Sequence, residues 1–446
     1  MEQFEPRLHR VGDHAWCVVG NGLSNQTFID APEGLIAIDT GECVEEMRAA
    51  IEMVRTQTDK PFAAVLYSHF HYVNGTTAIF DDAKRTLPVW GHSRIATNRV
   101  LTSSAIAPTY TRGIIEQFGT SLPSDGPDGL VGVGLGRSFK NAAHAPHTAG
   151  YVHADTTFDT PCRIRVAGLD VDVMPAPSDA DDSVTFSFPA LDLAVNNLVW
   201  PVLFNVFAIR GEEYRDPTVL LTGLDHLLGL KVEHLVGAHG IPISGRDAIA
   251  RRVGRYRDAI QFLWDQTVRH TNKGATSADL AHLVKLPDWA DDDYLTTEYY
   301  GVAEHHARQI RSGLFGFFDG LEANLFPHST VERHDRFIAG FGGRDTVRGL
   351  VTRALDDNDV RWALELASML ATSSANDATD RELLARVLRT IAERTTSANI
   401  RNWCLTRARH WDGSQDATRL TTHRLSRNAI LSGSADDAVH VLRVLV

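Results

Sequence analysis

A short apolar run, Phe62 to Tyr67, ends in Ser68-His69-Phe70-His71-Tyr72-Val73-Asn74-Gly75. Two histidines one residue apart, at the end of a buried strand, can aim both imidazoles at one point from a rigid base. That geometry suits zinc or iron. On its own such a pair is more often two solvated loop histidines, so the flanking pattern matters. Leu35 to Ile38 is a second apolar run, closed by Asp39-Thr40-Gly41. Val44 to Thr56 carries Met47, Ile51 and Val54 at helical spacing, and Trp16 to Val19 and Gln26 to Ile29 read as strands. Strands alternating with a helix in this way predict an α/β layered domain.

The chain has 446 residues, enough for two or three domains, and a net charge of −12. That charge argues against nucleic acid or an anionic membrane as partner and requires a local positive feature to draw in an anionic substrate. The opening residues, Met1 to Pro6, lack the basic and apolar segments of a leader. No stretch approaches the roughly 18 uninterrupted apolar residues of a membrane span. Cys17, Cys43, Cys162 and Cys404 are scattered and form no pair motif. They read as reduced thiols, and the expected location is cytoplasmic.

Residues 101–160 are rich in Gly, Ser, Pro and His and predict a long functional loop or lid. Strands return at Arg163 to Met174, Ser183 to Ala194 and His234 to Ala238. From Arg246 the pattern is helical, with Val253, Tyr256, Ile260, Leu263 and Val268 on one face until Asn272-Lys273-Gly274. Helical sets continue through residues 343–412, in pairs that could form a tetratricopeptide-like array. A last apolar helix is expected over 435–446.

The order strand, Asp39-Thr40-Gly41, helix, strand, His69-x-His71 resembles the opening of the metallo-β-lactamase superfold, whose members continue the motif as HxHxDH. Here the last two positions are Val73 and Asn74. Further on, the chain resembles the alkyl sulfatases. The matching segments are the glycine-rich Gly126-Pro127-Asp128-Gly129 with Gly132 to Gly136, Asn205 to Gly211 with Tyr214-Arg215-Asp216, and Tyr299-Tyr300-Gly301. Gly316-Phe317-Phe318-Asp319-Gly320 and Ala323-Asn324-Leu325 complete the set. The resemblance implies an αββα sandwich over residues 1–245, a helical dimerisation region over 246–330 and a helical C-terminal region over 331–446. It further implies a homodimer.

Carried over position by position, the resemblance places one metal site on His69, His71 and Asp179. A second site would fall on Val73, Asn74 and His239, with Asn197, or Asn196 under another alignment, as the bridge. Valine cannot ligate and an amide is a poor zinc ligand, so one divalent metal is expected, with zinc ahead of iron. Three alternatives stay open. His144, His147 or His153 could replace lost ligands, Asp181 or Asp182 could be the true carboxylate, or all of these could be solvated loop residues.

The resemblance makes a sulfate monoester the expected small-molecule substrate, with Asn205, Arg210 and Arg215 as its binding residues. Arginine suits a tetrahedral anion through its fork of donors. Pro201 and Phe204 replace histidines of the family, so the proton donor must be absent or moved. His239 and His305 are the candidate catalytic groups, with His306 beside the latter. The expected activity is a metal-dependent hydrolase with weak turnover of dodecyl sulfate, a single Lewis-acidic ion activating water and ester. Two histidines and one carboxylate also describe the facial triad of non-haem Fe(II) lyases and oxygenases. A metal-free binding module is the third possibility.

Overall fold

The computed structural model describes residues 5–101, 107–375 and 377–415, with Ala435 and Val439. The helix expected over 435–446 therefore falls outside the described residues, apart from Ala435 and Val439. The first sheet holds β1 (Arg7–Val11), β2 (Ala15–Val19), β3 (Gln26–Ala31), β4 (Gly34–Ile38), β5 (Phe62–Leu66), β6 (Val89–His92) and β7 (Thr156–Phe158), in sequence order. Pairing is antiparallel through β4 and parallel from β4 to β7. The second sheet runs in the order β13 (Ile243–Ser244), β12 (His234–Gly237), β11 (Leu193–Asn196), β10 (Val184–Phe188), β9 (Leu169–Pro175) and β8 (Cys162–Val166).

The two-residue period of the strands builds the layers. Ile36 and Ile38 face the second sheet and pack with Val171, Phe186, Val195 and Val236. Leu35 and Ala37, on the opposite face of the same strand, pack with Met47, Ile51 and Val54 of α1 (Val44–Arg55) and with Ile79 of α2 (Thr76–Ala83). α3 (Ile95–Leu101) and α4 (Ala107–Phe118) follow β6. The outer face of the second sheet, through Ala194 and Leu235, is covered by α5 (Pro217–Gly229) and the 27-residue α6 (Arg246–Asn272). This is the αββα sandwich that the family resemblance implies.

Helix α6 buries Val253, Tyr256, Ile260 and Leu263 in the same core as the segment Leu198 to Phe204. Position 245 therefore marks a change of sequence character and not a break in packing. α7 (Ser277–Leu283) and α8 (Ala303–Phe315) pack beside α6. α9 (Thr330–Gly340), α10 (Arg344–Asp356), α11 (Val360–Ala371), α12 (Ala378–Arg394) and α13 (Ala398–Trp411) share a separate core around Val347, Leu366 and Leu388. Each of α10 to α13 packs on the next, as successive helix hairpins would.

The segment 101–160 departs from expectation. It is not one long loop, because α4 occupies twelve residues of it and β7 adds an edge strand to the first sheet. Tyr110, Ile114 and Phe118, spaced by four, place one face of α4 on the cavity described next.

Candidate metal centre

The strand ends of both sheets converge on one edge of the sandwich. β5 delivers His69 and His71, β9 leads to Asp179, β11 to Asn197 and β12 to His239. His69, His71 and Asp179 form a group whose ligand atoms all lie within 4.8 Å of one another. His71 Nδ1 is 3.1 Å from Asp179 Oδ2.

The ring orientations follow from the hydrogen bonds behind them. Ser68 Oγ donates its proton to Asp39 Oδ2 at 2.5 Å and so accepts from His69 Nδ1 at 2.8 Å. That leaves the His69 Nε2 lone pair facing the group. Asp39 also receives the Ser68 backbone N–H at 2.8 Å. It holds a left-handed conformation (φ 55°), so the residue closing β4 supports the ligand that follows β5. His239 donates Nδ1–H to the carbonyl of Leu23 at 2.9 Å, again leaving Nε2 as an acceptor.

Two buried ring nitrogens, His69 Nε2 and His239 Nε2, have no hydrogen-bond partner among the described residues, and His71 Nδ1 faces Asp179 Oδ2. Leaving a buried polar atom unsatisfied costs about 1–3 kcal/mol, and a cation is what a ring lone pair beside a carboxylate would accept. The residues therefore fit a divalent ion. Burial pulls His69 down to about 3 and His239 down to about 4, so both rings are neutral and ligand-competent near neutral pH. Burial works to raise Asp179, but the neighbouring His71 and His69 hold it well below the usual carboxylate range.

The second-site positions are differently occupied. Val73 is fully buried in the core between the first sheet and its helices. Asn74 lines the cavity but its carbonyl accepts from Arg99 at 3.0 Å. Asn197 donates to Asp179 Oδ1 at 2.7 Å and accepts from Trp200 Nε1 at 3.2 Å. Asn196 instead accepts the backbone N–H groups of Leu198 and Val199, so of the two it is Asn197 whose side chain meets Asp179.

The other candidates divide clearly. Asp181 pairs with Arg94 at the surface, and Asp182 sits under the Phe70 N–H, which leaves Asp179 as the carboxylate in the group. His144 and His147 bond to the carbonyls of Asn21 and Asn141, and His153 faces Tyr151. None of the three joins the group.

A cavity of about 270 Å³ opens in front of His71, Asp179 and His239. Arg210 lines it, clamped by Glu212 at 2.7 Å through Nε. Arg215 and Asn205 lie behind this lining. Arg215 Nη1 bonds to Asn205 Oδ1 at 2.6 Å, while its Nε and Nη2 are buried without a partner among the described residues. His305 does not reach the cavity lining. It packs edge-on against Phe207, at 5.3 Å between ring centres. The fully buried His306 accepts the Phe207 N–H at 3.2 Å.

Sequence reasoning missed Glu42, Arg99, Tyr110 and Lys140, all of which line the cavity. Burial raises Glu42 to about 7. For Tyr110 the spacing with Ile114 and Phe118 was a usable signal. For Glu42, Arg99 and Lys140 there was none, because each reaches the cavity from a different loop or helix end.

The family described as alkyl sulfatase dimerisation matches residues 276–413. The linear primary-alkylsulfatase of a Pseudomonas species is 33% identical over 414 residues, covering 91% of this chain and 77% of its own length. The alkyl/aryl-sulfatase of Saccharomyces cerevisiae is 26% identical over 413 residues, covering 89% of this chain and 62% of its own. Among solved structures, a double mutant of a sec-alkyl sulfatase superposes with a TM-score of 0.88 at 25% identity, covering 98% of this chain and 70% of that one. The chain belongs to the alkylsulfatase family, and it is a sulfatase-like hydrolase by that kinship.

Proposed function

We propose that the protein hydrolyses sulfate monoesters of small alcohols, using one divalent ion on His69, His71 and Asp179. The observation that carries this reading is the convergence of His69, His71 and Asp179, whose ligand atoms lie within 4.8 Å of one another, in a chain whose relatives are named alkylsulfatases. The ion, zinc ahead of iron, supplies Lewis acidity toward water and the ester. Arg210, held by Glu212, offers a fixed positive edge for the sulfate, and Arg215 with Asn205 backs it. His239 presents Nε2 as a proton acceptor at the cavity wall. His305 packs on Phe207, so the catalytic role expected of a histidine rests on His239.

The reading includes a homodimer formed through the 246–330 region. Phe317 and Phe326 are 95% and 90% exposed, and Phe315, Leu314 and Leu325 are exposed around them. Apolar exposure of that kind is what a partner surface covers. Four free cysteines, three of them buried, are in keeping with the expected cytoplasmic location.

Elemental analysis and sulfate release test the proposal together. One equivalent of zinc, with inorganic sulfate released from short alkyl sulfates and slow turnover of dodecyl sulfate, is the expected result. His69→Ala should lose both metal and activity. Two tightly held ions would overturn the single-site reading. One equivalent of iron without sulfate release would favour the lyase or oxygenase reading, which the two-histidine, one-carboxylate set also suits. No metal at all would leave a binding module.

A further inference from the structure

A second and larger cavity, about 820 Å³, adjoins the metal cavity. Ile114, Phe139 and Lys140 line both, so the partition is one side chain thick. Phe139 stacks on Phe118 at 5.0 Å with the rings nearly parallel, which fixes the partition on α4. Beyond it the walls mix polar groups, Asn21, Thr111, Thr120, Ser124, Ser138 and Asn141, with the apolar Pro6, Ile115, Leu130 and Ala142. Arg137 and Lys140 supply two positive charges, and no Asp or Glu is among the described lining residues. In a chain of net charge −12 that is a local reversal of sign.

Both cations are available. Lys140 holds its ammonium 5.8 Å over the Phe139 ring, with no carboxylate within salt-bridge distance among the described residues. Its backbone is left-handed (φ 52°), and its N–H donates to Glu42 Oε2 at 3.2 Å. A non-glycine residue in that conformation is held there by its surroundings at some cost. Among the described residues Arg137 pairs with Glu5, at 3.4 Å, with both side chains more than two-thirds exposed. An exposed pair of this kind is worth little and gives way readily.

We propose that the second cavity receives a second anionic group, carried on the far end of the same sulfate ester, and that Lys140 and Arg137 select for it. This rests on the sulfate-ester reading above and narrows it. The substrate class becomes a doubly anionic sulfate ester, with a carboxylate or a second sulfate on the alcohol, in place of a plain alkyl sulfate. The hydroxyl and amide groups among these walls offer hydrogen bonds to the charged end, and the apolar residues between them take the methylenes that carry it.

Calorimetric titration of the metal-loaded protein with non-hydrolysable sulfonates of equal chain length tests this. The three probes are a plain alkanesulfonate, an ω-carboxyalkanesulfonate and an α,ω-alkanedisulfonate. At least one doubly charged probe should bind about tenfold more tightly than the plain one, the size of one charge-assisted hydrogen bond. Which of the two gains more distinguishes carboxylate from sulfate. Lys140→Ala with Arg137→Ala should bring that ratio close to one. Equal or weaker binding of both doubly charged probes, or a ratio that survives in the double variant, overturns the inference while plain sulfonate binding keeps the sulfate-ester reading intact. Absence of binding by all three probes, together with no sulfate release, would remove that reading and this inference with it.

Discussion

The amide nitrogen of Asn197 lies 2.7 Å from Asp179 Oδ1 and donates to it. The same nitrogen reaches Ser178 Oγ at 3.1 Å and Ser183 Oγ at 3.2 Å, while the Asn197 carbonyl accepts from Trp200. An amide is the group this position needs, since a carboxylate there would face Asp179 with no proton to share. Asn197 thereby holds Oδ1 and leaves Oδ2 turned to His71. Support of that kind behind a ligand is typically worth about 10–100-fold in metal affinity. Asn197→Ala should weaken metal binding by that order in a competition titration with a chelator. Unchanged affinity would show that Asp179 orients itself.

Val73→Asp should not restore a second site. Val73 has no exposure and packs in the core with Val44 and Met47. A carboxylate placed there without a partner should lower stability by about 3 kcal/mol or more, measured as the shift in urea midpoint at constant slope. Elemental analysis of any folded variant should still find one ion. Two equivalents in the single variant would contradict this account.

The ring of His306 should sensitise the protein to acid. It accepts the Phe207 N–H through Nδ1, and burial pulls it down to about 3. An unfolded imidazole titrates near 6.5, so this ring favours the folded state above that pH and loses the contribution as pH falls toward its folded value. The loss is at most about 1.4 kcal/mol per pH unit. Asp39 and Asp182, raised to about 7 mainly by burial, act in the opposite sense over the same range. The prediction therefore concerns a difference. Urea unfolding at pH 7 and pH 5 should show the gap between wild type and His306→Asn narrowing with acid. A gap that widens would mean the ring is not neutral when folded.

Phe317→Asp should shift the oligomeric state. With 95% of the side chain exposed, the substitution leaves the fold of one chain essentially untouched. Light scattering at micromolar concentration should report a dimer for wild type and more monomer for the variant. A wild-type monomer would remove the dimer from the proposal.

The parts of this molecule that repeat a local rule were legible in its sequence. Leu35 to Ile38 is an unbroken apolar run closed by Asp39-Thr40-Gly41, which marks a strand buried on both faces, as β4 is. His69 and His71 close a strand and so were legible locally, whereas Asp179 was placed beside them by the resemblance to the alkyl sulfatases. What stayed hidden depends on long-range packing. Glu42 and Lys140 meet across 98 residues of chain, and no local pattern announces that contact. α4 was concealed by its Gly-, Pro- and His-rich neighbours, although Tyr110, Ile114 and Phe118 keep helical spacing. His305 and His306 are neighbours on α8, yet His306 is buried while His305 is part-exposed against Phe207, a difference set by the elements packed on that helix.

The position of α4 gives the C-terminal helices a role that their distance in sequence hides. One face of α4 walls the metal cavity, and α13 packs against the helix, with Arg407 reaching Glu116 at 3.2 Å and Asn402 pressed to Gly119. Nearby, Arg389 grips Asp128, and Arg401 holds the carbonyl of Gly129 at 2.8 Å. The bundle is thus a back-plate for the binding chamber, so trimming it would loosen the wall that sorts ligands long before it disturbed the histidines that hold the ion.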